Sequence, residues 1–264
     1  MVIPELRWES LIFDDPDGGK ILLWPYLPCV RMPKRLRPRN WDGVALIMSS
    51  DDIISMRDDQ KQDALSQGIH VKSASSSGTS LGMLVNDLQS LDVNGPSIPD
   101  PEPMRLLLHS DNSRGGMPIY AIIPNIDDDD WVDWLSRCAD QQVRLRNLLA
   151  IIGRSRRWSK SRNQAIKMLK HSNEVEPDLG AAATVCAAWW FEERLGLSKE
   201  ILNEQDSRLS SRLRGALSNL RNSEMIGKEP QDVVLLAPIH QAHLPYIKES
   251  LRSCNEVEEV RGES

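Results

Sequence analysis

Histidine is scarce in this chain, with five in 264 residues, and tyrosine and phenylalanine are scarcer, with three and two. So few imidazoles leave room for at most one small metal site built on histidine. The four cysteines (Cys29, Cys138, Cys186, Cys254) form no CxxC pair, which excludes a zinc ribbon and a dithiol redox motif. Scattered free thiols point to a reducing, cytoplasmic setting. No apolar run approaches the roughly 20 residues that span a bilayer, and the first residues lack the basic and apolar regions of a signal peptide. P-loop, GxGxxG and HExxH motifs are missing. Positive charge is not in excess: the net charge of -6 argues against a nucleic-acid coat protein or a polybasic membrane binder.

What is present is an ordinary globular balance, 40% hydrophobic and 27% charged, with eight tryptophans dominating the aromatics. Residues 20–24 (KILLW) read as a short strand stopped by Pro25 and Pro28. Residues 44–48 (VALIM), 119–123 (IYAII) and 233–236 (VVLL) are continuous apolar runs, the signature of strands buried on both faces. Residues 104–108 read as a further strand. Residues 49–52 (SSDD) cap a helix beginning near Ile53. Trp131, Leu135, Cys138, Leu145, Leu148 and Ile152 mark one apolar helical stripe, and Leu202, Leu209, Leu213, Leu217 and Leu220 another. Residues 181–191 are apolar almost all round, as in a buried helix, and a closing helix covers 246–251.

The predicted fold is α/β: a mixed, mostly parallel central sheet with helices on both faces, in one domain over residues 1–254. A Ser/Pro-rich stretch at 70–103 reads as a flexible surface excursion, and residues 255–264 as a charged, frayed tail.

In such a sheet, ligands gather at the carboxyl ends of the strands. His240 and His243 follow the last strand and precede a helix, whose positive dipole end favours the neutral, metal-binding imidazole. Asp51 and Asp127, each placed after another strand, are the carboxylates that could complete a divalent transition-metal site with them. By spacing alone a bare HxxH is more often a polar strand-to-helix loop. Two basic stretches, 31–39 and 154–162, offer Arg35, Arg37, Arg156 and Arg157 to phosphate or RNA, with Trp41 and Trp158 beside them for stacking. Against the net charge, a solvated basic surface is the simpler reading, which makes a nucleic-acid partner the less favoured one.

Three segments resemble the TraB family, which includes the pheromone-shutdown proteins and the Tiki peptidases: residues 116–123 (GMPIYAII), 203–213 (NEQDSRLSSRL) and 232–247 (DVVLLAPIHQAHLPYI). The resemblance implies an α/β fold and metal-dependent peptide hydrolysis through two Gly-x-x-His motifs, an early glutamate and an arginine. His243 matches the second histidine. His240 stands where that motif has its glycine, and Tyr246 where a later one falls. The first motif falls on residues 24–27 (WPYL), without histidine. The early glutamate is absent near Met48, and Gln205 occupies the arginine position. The resemblance therefore implies a divergent member acting as a binding or regulatory protein toward a peptide or protein partner. The alternatives are a metal-dependent hydrolase rebuilt around His243, and an RNA- or phosphate-binding adaptor.

Overall fold

The structure, a computed structural model, describes residues 2–113, 116–144, 147, 153–223 and 227–262. Its sheet is assembled from the apolar runs. β1 (Leu11–Asp14) pairs antiparallel with β2 (Lys20–Tyr26), and β2 pairs parallel with β5 (Val234–His240). β5 pairs parallel with β3 (Gly43–Leu46), and β3 with β4 (Ile119–Ala121). The order β1-β2-β5-β3-β4 makes a five-stranded mixed sheet, parallel except at the β1 edge.

Side-chain alternation divides the strands between two cores. Trp24, Val44, Leu46, Ile119 and Leu236 point to one face. There they meet α1 (Ser50–Leu65), α3 (Ser80–Gln89), α4 (Pro101–Asp111), α6 (Arg154–Met168) and α7 (Pro177–Glu193). Ile21, Leu23, Ala45, Tyr120, Leu235, Ala237 and Ile239 point to the other face. That face is covered by α8 (Lys199–Arg221) and α9 (Leu244–Ser253). α2 (Ile69–Ser76) packs on α3, and α5 (Asp129–Gln142) lies against α8. The α/β architecture with helices on both faces is thus the one the sequence indicates. No helix among the described residues is long and apolar enough to cross a membrane.

Local chemistry explains the agreements and the departures. Ser49 accepts from the Asp52 backbone N–H while Asp52 accepts from that of Ser49, a reciprocal capping box that starts α1. Residues 104–108 belong to a helix, not a strand. Pro101 and Pro103 sit in the first turn of α4, where the missing N–H groups would have no intrahelical partner anyway. The stretch 70–103 is anchored: Leu84, Val85 and Leu88 of α3 are buried. The tail is docked as well, because the Glu258 N–H donates to Ser211 O and Val260 is buried beside α8. Leu145, Leu148 and Ile152 of the predicted helical stripe lie outside the described residues.

The prolines position the site. β2 runs through Pro25 rather than stopping there. Lys20 N–H donates to Val233 O, and Gln241 N–H donates to Tyr26 O, so the even residues of β2 face β5 and Pro25 faces the β1 side. The β1 ladder has already ended at Leu23, so proline forfeits no sheet bond. In β5 the odd residues face β2, while Val234 O accepts from Asp42 N–H on the β3 side. Pro238 therefore turns its missing donor toward β3. Pairing with β3 stops at Leu236, and the two strands go on unpaired beyond it.

Candidate functional site

The opening between β3 and β5 is the floor of a cleft of about 510 Å³ at the carboxyl ends of β2, β5 and β3. Leu46, Met48, Pro238 and Ile239 line it from the strands, Tyr26 and His240 from the strand ends, Asp100 from the start of α4, Trp134 and Cys138 from α5, Trp189 and Trp190 from α7, and Gln205 and Leu209 from α8. Arg194 and His243 face it from the ends of α7 and α9.

Asp206 is the hub of the polar part. It lies on the buried stripe of α8, four residues after Leu202 and three before Leu209, and is 4% exposed. Its Oδ1 accepts from His243 Nε2 at 2.7 Å and from Arg194 Nη2 at 3.0 Å. Burial opposes ionisation of Asp206, but the His243 hydrogen bond and the Arg194 charge outweigh it and hold the carboxyl below its ordinary range. Burial also pushes the His243 imidazole down. Asp206 pulls it back, and Arg194, whose Nη1 is 3.3 Å from Nε2, pushes it down again. The neutral ring with Nε2–H directed at Asp206 leaves Nδ1 as the open acceptor, without a hydrogen-bond partner among the described residues.

His240 has neither ring nitrogen to spare. Nε2–H donates to Cys186 O at 3.1 Å, and Nδ1 accepts from the Ala242 N–H at 3.1 Å. The ring stacks on Trp190 at 6.2 Å, and burial lowers its pKa to about 3. It is a neutral structural link between β5 and α7.

Of the four side chains that the sequence suggests as metal ligands, only His240 and His243 share the cleft. Asp51 is exposed in the first turn of α1, Asp127 is exposed ahead of α5, and neither lines it. Among the described residues no group of three or more His, Cys, Asp and Glu side chains could hold a metal ion. A transition metal needs three or four donors, and the space beside His243 Nε2 is filled by a guanidinium. This donor set does not fit a metal.

Three of the four arginines singled out in the basic stretches are ion-paired. Arg35 pairs with Glu176 at 2.9 Å, Arg37 with the buried Glu102 at 2.8 Å, and Arg157 with Glu192 at 3.1 Å, while Arg156 is exposed. Glu176 and Glu192 bracket the 17-residue α7, so the stretches are separated by about 25 Å of helix, beyond the ~8–10 Å screening length. Trp158 is 4% exposed with its indole N–H on Asp87, so it presents no face to a base.

Arg194, Asp206, Asp100, Tyr26, Trp189 and Trp190 were not among the predicted site residues. Asp206 left a signal, a carboxylate at the i+4 place of the Leu202–Leu209 stripe. Arg194 left none, because its role depends on α7 ending next to α8.

Asp100 is the second titratable group of the cleft. Burial raises its carboxyl to a pKa of about 8; backbone hydrogen bonds from Glu102 and Cys29 pull against this, and the Glu102 charge adds to it. Burial, then Asp100, keeps the neighbouring Tyr26 phenol protonated. With a raised native pKa, the folded protein holds a proton that the unfolded chain releases between about pH 4 and 8, so stability falls as pH rises through that window. Asp100→Asn, which cannot ionise, is expected to melt at nearly the wild-type temperature at pH 4 and progressively above it toward pH 8.5. A constant difference across that range would remove the protonated carboxyl.

No family model, curated protein or solved structure matches the chain.

Proposed function

We propose that this is a TraB-like binding or regulatory protein, cytoplasmic, whose cleft takes an organic ligand, free or as part of a peptide, where the family's metal would be. The observation that carries this reading is the Arg194–Asp206–His243 cluster. A guanidinium within 3.3 Å of the one imidazole that matches the family leaves no place for a second cation. Like charges brought together in a buried site repel strongly.

The TraB resemblance is supported by how its segments come together. They become β4, the first half of α8, and β5 with the start of α9. Asp206 from the second segment meets His243 from the third, and Tyr26, where the first histidine motif falls, lies in register with His240. The arginine that position 205 lacks is supplied from the end of α7 by Arg194. The four cysteines are free, which suits a reducing compartment.

Metal analysis of the purified full chain tests the reading. The expected result is no stoichiometric zinc, manganese or cobalt, in the wild type or in His243→Ala alike. A stoichiometric metal that disappears in His243→Ala would overturn it.

A further inference from the structure

Helix α6 carries charge of one sign. Over Arg154–Met168 it holds Arg154, Arg156, Arg157, Lys160, Arg162 and Lys167 and not one aspartate or glutamate, in a chain with 38 acidic residues against 32 basic ones. Helix formation does not favour this. Three of the arginines fall in the first four residues, at the positive end of the helix dipole, where no acidic residue and no side-chain cap offsets them. Arg156 and Lys160, like charges four residues apart, repel each other as well. An exposed helix face stabilised for its own sake mixes signs, with glutamate four residues before lysine.

The fold absorbs half of these charges. Arg157 pairs with Glu192 of α7, Arg162 pairs with Asp87 of α3, and Arg154 donates to Gly78 O at 3.3 Å. Arg156, Lys160 and Lys167 are exposed, and their side chains have no partner among the described residues. Positions 156, 160, 163 and 167 share one face of the helix, so these cations and Asn163 form a stripe about 16 Å long. It lies opposite the buried stripe of Trp158, Ser161 and Ala165. No residue of α6 lines the cleft, so this face is a separate feature of the molecule.

The make-up of the stripe selects its occupant. The apolar side of α6 is spent on the protein core, so the helix has nothing to insert into a lipid surface. Asn163 stands among the cations, and the exposed Ile166 lies about a quarter-turn away. The stripe thus offers no apolar seat for the side chains of an acidic peptide. A phosphate backbone asks for cations and neutral hydrogen-bond donors alone. Trp158, the one aromatic residue of α6, is buried, so no ring is offered to the bases of a single strand. A duplex, whose bases are already stacked, needs none. Duplex RNA is held across two successive grooves and through its 2′-hydroxyls, which a single straight stripe of this length does not span.

We infer that α6 is a docking face for the phosphate backbone of duplex DNA, held by Arg156, Lys160 and Lys167 without reading sequence. The net charge of -6 does not oppose this at close range, because carboxylates more than ~8–10 Å away are screened at physiological salt.

Fluorescence anisotropy of a labelled DNA duplex of about 20 base pairs, titrated with the full chain, tests the inference. Binding is expected in the micromolar range, unchanged when the duplex sequence is scrambled. It should fall about 40-fold between about 50 and 200 mM salt, the counterion release of three phosphates. Arg156→Gln, Lys160→Gln and Lys167→Gln combined should weaken binding by about tenfold or more and flatten the salt dependence. That variant should melt no lower than the wild type, since it removes repulsion from an exposed helix, so its loss of binding is not unfolding. Arg31→Gln, Lys34→Gln and Arg39→Gln combined, in the other basic stretch, should bind as the wild type does. Absence of binding at the lower salt would overturn the inference, and so would equal weakening by the two triple variants. Labelled poly-glutamate or an RNA duplex bound as tightly as the DNA would overturn the occupant in favour of an acidic protein or of RNA.

Discussion

Asp206→Ala is expected to destabilise the protein by about 3–5 kcal/mol, the usual penalty for breaking a buried ion pair from one side. The alanine leaves the Arg194 guanidinium, 10% exposed, with no carboxylate, and leaves the His243 Nε2–H without an acceptor. Desolvated charge is costly when unpaired, so the loss should greatly exceed the ~1 kcal/mol or less of a surface pair such as Arg35–Glu176. Urea unfolding would show it as a lower midpoint at an unchanged slope. Adding Arg194→Met should restore part of the loss, because the double variant buries no lone charge. The coupling should be about 0.5–3 kcal/mol. The pH dependence follows from the depressed carboxyl: its contribution is fully present above the ordinary aspartate value of 3.8 and fades as pH falls below it. The deficit of Asp206→Ala should therefore shrink in acid. A loss near that of a surface pair, unaffected by Arg194→Met, would mean that the cluster is not a buried unit.

Gly215→Ala should release the C-terminal segment. Gly215 lies in α8, where an alanine would ordinarily stabilise by about 1 kcal/mol. Here its Cβ would stand 1.6 Å from Glu258 O and 2.8 Å from the Glu258 carbonyl carbon, both of them backbone atoms. No side chain can swing aside to relieve that contact, so residues 255–262 must move. The ion pairs of Glu258 with Arg208 and Arg212 and the buried Val260 are lost with them. Val260 burial alone is worth about 1.5–3 kcal/mol, so a net destabilisation of about 2 kcal/mol is expected once the helical gain is set against it. Hydrogen exchange should show loss of protection in residues 255–262. In a chain ending at Cys254 the same substitution should change sign and stabilise, since the obstacle is gone. Destabilisation of similar size in the shortened chain would exclude tail displacement as the cause.

The elements that were legible in the sequence share a physical property: their signal is local. Residues 44–48 and 233–236 are apolar on both faces because the sheet is covered on both sides, and alternation along them assigns Ala45 to one core and Val44 and Leu46 to the other. The helix cap read at residues 49–52 needs only four consecutive residues. The reading of residues 104–108 as a strand failed because five apolar-rich residues carry no period that separates strand from helix. Pro101 and Pro103, at the start of α4, were the better guide. The tail was read as frayed from its charge, but the charge at Glu258 is what docks it onto Arg208 and Arg212.

The site was only half legible. His243 could be found because the end of a buried strand before a helix is a recognisable place. Its partners come from residues 194 and 206, on two other helices, and their meeting depends on how α7, α8 and α9 pack. The same packing spends both nitrogens of His240 on backbone groups and leaves Asp51 and Asp127 in solvent.

The sequence by itself thus determined that the runs 44–48, 119–123 and 233–236 are buried strands, which class of fold they build, and that imidazoles are few. Tertiary structure decided what stands beside His243, which turned a suspected metal ligand into part of a charge-balanced cluster with Arg194 and Asp206. The division follows from range. Hydrophobic periodicity and capping act within a few residues, whereas the ionisation and hydrogen bonding of a buried group depend on neighbours that only the folded chain brings within 3–4 Å of it.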